Sequence, residues 1–443
     1  MPTKKQWPLL HSSAIVRPMS KAIAGLLFTL FSVTCLAESN RMTLDQSYQA
    51  ALKQSEIVRE QAEGSIQSEE HTRQAKGAIL PTINLTATYF DQDTPKASLA
   101  TAVSPSSQNT VKIGATQPLF RGFREFAYLR QSKNLEASQK ETESFSRTTL
   151  YRSVAENYFT ILLIEQQMKN IDIEINLFHD QIHELTQRIR IGRSRETEVL
   201  TVDSQQLALA AQKEQLQGQL KTARESFQFL TGVDANQPLD DASQVPSPSD
   251  QGLDFFLGKL ESRPDVKAAS QKQLAAAEGI KIASGAHLPS LDLAGNYYPV
   301  RTGLYSGYQW DAQLALTLPI YAGGTTESQV RESSSIERQS DLEVARIRRG
   351  AQQDVRSYYE NMKAFHAAVL AFQRSEVSSE KSYQQTHHDY RMGLANNLDV
   401  IQALITYQAS QQSLDSIRLN EKLNLIELQI ASGLPPGATP TTP

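Results

Sequence analysis

Histidine is the residue type that comes nearest to a chemical site in this chain. His179 and His183 stand four apart, a spacing that would set two imidazoles on one helical face, but the intervening Asp180-Gln181-Ile182 lacks the zincin pattern. His387 and His388 are adjacent and so point in different directions on a helix. The single cysteine, Cys35, excludes a disulfide framework and a thiolate metal cluster. No phosphate-binding loop and no Gly-x-Ser-x-Gly elbow occurs. The chain is therefore read as not an enzyme, with no catalytic residue, metal or cofactor assigned. Its function has to be sought in its architecture.

That architecture is written twice. Ala75-Lys76-Gly77-Ala78-Ile79-Leu80-Pro81 returns as Ala283-Ser284-Gly285-Ala286-His287-Leu288-Pro289, and Pro118-Leu119-Phe120 returns as Pro319-Ile320-Tyr321. Gly192 returns as Gly393, and Thr231-Gly232 as Ser432-Gly433. Three offsets agree (319 − 118, 393 − 192 and 433 − 232 are each 201), so Pro118 to Gly232 recurs without net insertion. The organisation expected is a first repeat over 38–233, a Pro/Ser/Asp-rich linker over 234–252, a second repeat over 253–434 and a disordered tail over 435–443. Each repeat reads as helix, β-hairpin, very long helix, turn and shorter helix.

Alternation of period two predicts strands at about 82–90, 110–119, 290–298 and 308–320. Their apolar series are Ile83, Leu85, Ala87, Tyr89; Val111, Ile113, Ala115; Leu291, Leu293, Gly295, Tyr297; and Trp310, Ala312, Leu314, Leu316, Leu318. One apolar and one polar face suit either a half-buried soluble sheet or barrel strands with lipid outside and water inside. Aromatic residues lie near both strand ends, Tyr89-Phe90 and Tyr297-Tyr298 at one and Phe120 and Tyr321 at the other, which favours the girdles of a barrel.

Two proline-free runs, 119–237 and 320–434, predict long helices over about 123–191 and 195–230, then 325–392 and 397–431. Ile161, Ile164, Met168, Ile171, Ile175, Phe178, Ile182, Leu185 and Ile189 recur at steps of three and four, a heptad seam. The same positions in the second repeat read Met362, Phe365, Val369 and Phe372, then Glu376, Ser379, Tyr383, Thr386 and Tyr390. The apolar seam stops there, which marks the lower half of the second helical hairpin as the candidate moving part. Gly192 and Gly393 suit left-handed C-caps. Ser194 or Glu196 opens the next helix in the first repeat; Asn396 and Asn397 are N-cap candidates in the second. Thr43-Leu44-Asp45-Gln46 fits a capping box.

Lys21, the apolar run Ala22 to Val33 and the small residues near Ala37 read as an export signal over 1–37, begun at Met1 or Met19 and cut before Glu38. Lipidation of Cys35 is disfavoured by its Ser32-Val33-Thr34 context. Removing the signal takes four basic residues and no acids, leaving 40 − 48 = −8, which argues against nucleic acid as a partner. Beyond it no run of 18 apolar residues occurs, so strands are the available route across a membrane.

The duplicated order of Arg263-Pro264-Asp265-Val266, the Leu80-Pro81 and Leu288-Pro289 strand openings, Gln117-Pro118-Leu119-Phe120, Leu318-Pro319-Ile320-Tyr321 and the tips Ile191-Gly192-Arg193 and Met392-Gly393-Leu394 resembles the TolC-like outer-membrane efflux and secretion channels. The resemblance spans essentially the whole chain after the signal. It implies an α+β membrane protein: a homotrimer whose twelve-stranded β-barrel sits in outer-membrane lipid of a Gram-negative bacterium and continues as a periplasmic α-helical barrel. Strand number alone requires only an oligomer, since about eight strands is the small end for a closed barrel. The resemblance further implies a passive exit duct of a tripartite efflux pump or type I secretion system. A periplasmic adaptor would dock on Ile191, Gly192, Arg193, Met392, Gly393 and Leu394, with an inner-membrane transporter beyond it. It assigns Tyr390 and Asp399 to the periplasmic gate. Gln402 stands where a second aspartate is found and Ala395 where a gating arginine is found, while Glu198, at 399 − 201, offers another acid. A structural coiled-coil or adhesin-like envelope protein is the alternative, against which the aromatic-capped strands speak.

Overall fold

The structure, a computed structural model, describes residues 41–93, 106–240, 251–302 and 305–434. The expected signal over 1–37 and tail over 435–443, with most of the linker, lie outside the described residues.

Helix α1 (Leu44–Gln54) begins at a complete capping box, Thr43 accepting from the Gln46 N–H while the Gln46 side chain accepts from the Thr43 N–H. Where the sequence suggests one opening helix there are two. Ser55 turns out of helical geometry and its hydroxyl caps α2 (Glu56–Gly77) by accepting from the Val58 N–H. Strands β1 (Thr82–Asp91) and β2 (Ser107–Arg121) form the first hairpin. The long helix α3 (Arg124–Arg190) follows, then α4 (Glu196–Thr231). The second repeat runs α5 (Leu253–Leu257), a single 3-10 turn, α6 (Pro264–Ser284), β3 (Ser290–Arg301), β4 (Trp310–Thr317), α7 (Thr325–Met392) and α8 (Asn397–Ser432). At 1.5 Å per residue, the 67 residues of α3 span roughly 100 Å.

The repeat register is kept by whole elements: 325 − 124 and 397 − 196 at helix starts, and 432 − 231 at the last helix ends, are each 201. In the opening helices the offset is 208, from 264 − 56.

The four strands make one antiparallel sheet in the order β1-β2-β3-β4. Its register lines up an apolar row, Leu85, Ile113, Tyr297 and Trp310, with Asn84, Gly114, Asn296 and Asp311 as the polar row beside it. The alternation therefore belongs to the sheet as a whole and gives it one apolar and one polar face. Strand β2 runs past Pro118 to Arg121 because a bulge between Pro118 and Phe120 absorbs the missing N–H. Strand β4 stops at Thr317, short of the expected 320: its outer edge has no partner among the described residues, and Pro319 donates nothing to a ladder.

Below the sheet, α3 packs between α2 and α6, and α7 packs against α6 and α8. Tyr158 on α3 is fully buried, and its hydroxyl joins the chain before α1 to the chain after α4 at Met42 O (2.8 Å) and Asp240 O (2.5 Å). Arg263 of the Arg-Pro-Asp-Val motif chelates Asp265 and donates to Ala431 O at 3.1 Å, so it caps the end of α8. Pro264 takes the first helical position of α6, where its lack of an N–H costs nothing.

Candidate gate and docking tips

The two turns joining the long helices are built alike. Gly192 and Gly393 take the left-handed conformation at φ +72° and +80°. The next residue closes the helix end in each: the Arg193 N–H donates to Arg188 O and the Leu394 N–H to Asp389 O, both at 2.8 Å. Ile191, Met392 and Leu394 project from these turns, 66, 66 and 78 % exposed. The following helices start differently. Asn396 caps α8 in a capping box whose third residue is Asp399. In the first repeat the N-cap is Arg195 with no side-chain bond; Ser194 does not cap the backbone but donates its hydroxyl to Glu198 Oε2 at 3.0 Å.

The expected gate residues do not form one cluster within the chain. Tyr390 is buried among Phe178, Leu185, Val202, Val400, Ile401 and Leu404. The Arg188 guanidinium lies 4.2 Å from the centre of its ring and is held there by two bonds to Glu184 Oε1. Burial raises the Tyr390 hydroxyl pKa; Arg188 opposes that shift while Glu184 and Glu198 add to it, so the phenol stays neutral at ordinary pH. Asp399 and Gln402 are exposed instead. Asp399 spends one carboxylate oxygen on the Asn396 N–H at 3.0 Å. Ala395 is half-buried against the Tyr390 cluster.

Sequence reasoning missed the contacts that join the hairpins. Arg188 to Tyr390 is one; another is the buried Gln181 amide donating to Asn397 Oδ1 at 2.5 Å. Both join residues about two hundred positions apart, and no local pattern marks them. A third feature is a cavity of about 300 Å³ between α3, α4 and α8, walled largely by glutamines such as Gln205, Gln408 and Gln412. Glu174 faces it, and burial lifts its carboxyl to about 7, with the Gln408 amide holding it back in part. Position 174 falls between the apolar seam positions Ile171 and Ile175, which hid it.

The two long helices differ in burial where the apolar seam of the second repeat stops, although α7 still meets α8 there through Ser379–Ser410 and the stacked Tyr383–Tyr407 rings. Between Val369 and Tyr390 it buries no residue, whereas α3 buries Ile171, Glu174, Phe178, Gln181 and Leu185 over the equivalent stretch. Among the described residues no helix is long and apolar enough to cross a membrane.

A profile of the outer membrane efflux protein family matches residues 47–250 and 259–434, most of the chain. The chain belongs to this family. Outer membrane protein TolC of Escherichia coli is 24 % identical to it over 428 residues, covering 93 % of this chain and 85 % of TolC. The outer membrane protein VceC of Vibrio cholerae shares the fold with a TM-score of 0.78 at 17 % identity, over 88 % of this chain and 96 % of VceC. The CmeC outer membrane channel of Campylobacter jejuni does so with a TM-score of 0.78 at 16 % identity, over 89 % and 86 %. The family resides in the outer membrane of Gram-negative bacteria and reaches into the periplasm, and its members are channels rather than enzymes. The efflux-protein family thus accounts for an amphipathic sheet standing on helices far longer than a compact domain needs.

Proposed function

We propose that three copies of this chain close a twelve-stranded barrel in the outer membrane and a helical barrel beneath it, forming the passive exit duct of a tripartite efflux pump or type I secretion system. The observation that carries the reading is the four-stranded sheet, apolar on one face and with β1 and β4 both unpaired at their outer edges among the described residues. An open edge beside an exposed apolar face is satisfied by more strands of the same kind. Four strands are too few to close, and three sets of four suffice.

Substrate enters from an inner-membrane transporter through a periplasmic adaptor docked on Ile191, Gly192, Arg193, Met392, Gly393 and Leu394. Two exposed apolar turns per copy, each made compact by a left-handed glycine, support that reading. The gate lies in the second hairpin near Tyr390, Asp399 and Gln402, with Glu198 beside it. The bare stretch of α7 supports this, because a helix that buries little opens cheaply.

The test is Met392→Glu with Leu394→Glu in the native cell envelope. Efflux or secretion and co-purification of an adaptor should be lost while a heat-sensitive, SDS-resistant oligomer persists in outer-membrane fractions. Transport at the wild-type rate would overturn the docking assignment, and a soluble monomer from the wild-type chain would overturn the channel.

A further inference from the structure

The contact between the repeats inside one chain is a template for a contact that the chain leaves open. At the base of the sheet, the turn from β2 into α3 crosses the turn from α6 into β3. A Cβ added at Gly122 would lie 2.2 Å from Gly285 O, and one added at Gly285 would lie 2.5 Å from Gly122 O. Two glycines are needed for these backbones to pass. Two turns below, Arg130 on α3 reaches Glu278 on α6 at 2.9 Å, and Lys281 shares the same carboxylate at 2.7 Å. Glu278 is 11 % exposed at this crossing.

Transferring each residue by its repeat offset gives a second set. Gly122 and Arg130 become Gly323 and Arg331 by +201, and Gly285, Glu278 and Lys281 become Gly77, Glu70 and Arg73 by −208. Every residue type is kept or replaced by one of the same charge. Gly323 has φ +62°, close to +68° at Gly122. Arg73 binds Glu70 at 2.6 Å, as Lys281 binds Glu278. Yet nothing lies within 4 Å of a Cβ at either Gly77 or Gly323. Glu70 is 50 % exposed, and Arg331 has only the Ser328 hydroxyl, with no carboxylate among the described residues. Within the chain α2 packs on α3, α3 on α6 and α6 on α7, and neither glycine has a neighbour at its Cβ, so these two half-sites do not meet each other.

We propose that the half-sites meet between copies: Gly323 and Arg331 of one copy receive Gly77 and Glu70 of the next, repeating the Gly122–Gly285 and Arg130–Glu278 crossing. The partner is a second copy of this chain, selected by a backbone crossing that admits only glycine and by an ion pair directly below it. The proposal rests on the reading that copies of the chain close the barrel, and it names the residues that set which edge meets which. In the template pair the carboxylate is the buried partner and Arg130 is half exposed, so selectivity comes from the penalty of setting two like charges against each other there.

The experiment compares Arg331→Glu, Glu70→Arg and the double exchange in outer-membrane fractions, read as SDS-resistant oligomer. Each single reversal should lose the oligomer and the double exchange should restore it. A second measurement does not depend on the reversals folding: Glu70→Cys with Arg331→Cys in a Cys35→Ser background, treated with a short bis-maleimide. This should link chains to one another, whereas Glu70→Cys alone should not. A wild-type oligomer that neither links through these positions nor responds to the reversals overturns the proposal and leaves the closed barrel standing. A wild-type chain that is monomeric overturns the closure itself.

Discussion

Replacing Tyr390 with alanine isolates the element on which gating would depend. Tyr390 is the single residue that α7 buries below Val369, and its ring receives the Arg188 guanidinium at 4.2 Å. Removing a buried ring costs about 3–5 kcal/mol, and the lost cation contact adds about 0.5–1 kcal/mol at a partly exposed site. Solvent filling the gap returns part of this, so about 3 kcal/mol should fall on the local stability of the last turns of α7. Since about 1.4 kcal/mol is tenfold in an equilibrium constant, opening there should become roughly a hundredfold more frequent. Hydrogen exchange on the assembled protein reads this directly. In the wild type, peptides from 370–392 should exchange faster than those from 170–191. Tyr390→Ala should speed the former roughly a hundredfold and the latter little, and Tyr390→Phe, which keeps the ring, should resemble wild type. Equal protection of both stretches in the wild type, or no response of 370–392 to the alanine, would refute the reasoning.

Other outcomes follow from single residues. Burial raises the Glu174 carboxyl from 4.5 to about 7, so the folded state holds its proton more tightly than the unfolded chain. Its burial therefore costs nothing below pH ~4.5 and its full amount above ~7, a penalty of about 1–2 kcal/mol once screening at the cavity mouth is allowed for. Glu174→Gln should raise resistance to denaturant at pH 8 and leave it unchanged at pH 4; an equal gain at both pH values would contradict the assignment. Gly122→Ala combines positive φ with a clash against a carbonyl oxygen and should destabilise by more than about 2 kcal/mol, whereas Gly192→Ala meets nothing and should cost about 1 kcal/mol in the same unfolding assay. Asn396→Ala should cost about 1 kcal/mol of α8 stability by removing its cap and releasing Asp399.

The parts of the fold legible in sequence are those set by local periodicity. The apolar seam from Ile161 to Ile189 is readable because one face of α3 is covered along its length, and Ile164, Ile171, Phe178 and Leu185 are buried in heptad register. Strand alternation is readable because the sheet has two unlike faces. The break at Ser55 was not: serine serves equally as a helix surface residue and as a cap, and only its extended ψ decides. The early end of β4 depends on a missing neighbour, which no pattern within the strand encodes. At the candidate site the tip glycines stand out because they need positive φ. The Arg188–Tyr390 and Gln181–Asn397 contacts do not, since they are made across helices far apart in sequence. In sequence Asp399 stands out only as a gate acid, and its capping role depends on which of Asn396 and Asn397 is the N-cap.

The most direct test of the account is the mass of the native particle. Native mass spectrometry of the protein extracted from outer-membrane fractions in mild detergent should give three chains, with the mass falling to one chain on heating in SDS. A particle of one chain, or recovery of the protein as a soluble periplasmic monomer, would contradict closure of the barrel by copies of the chain.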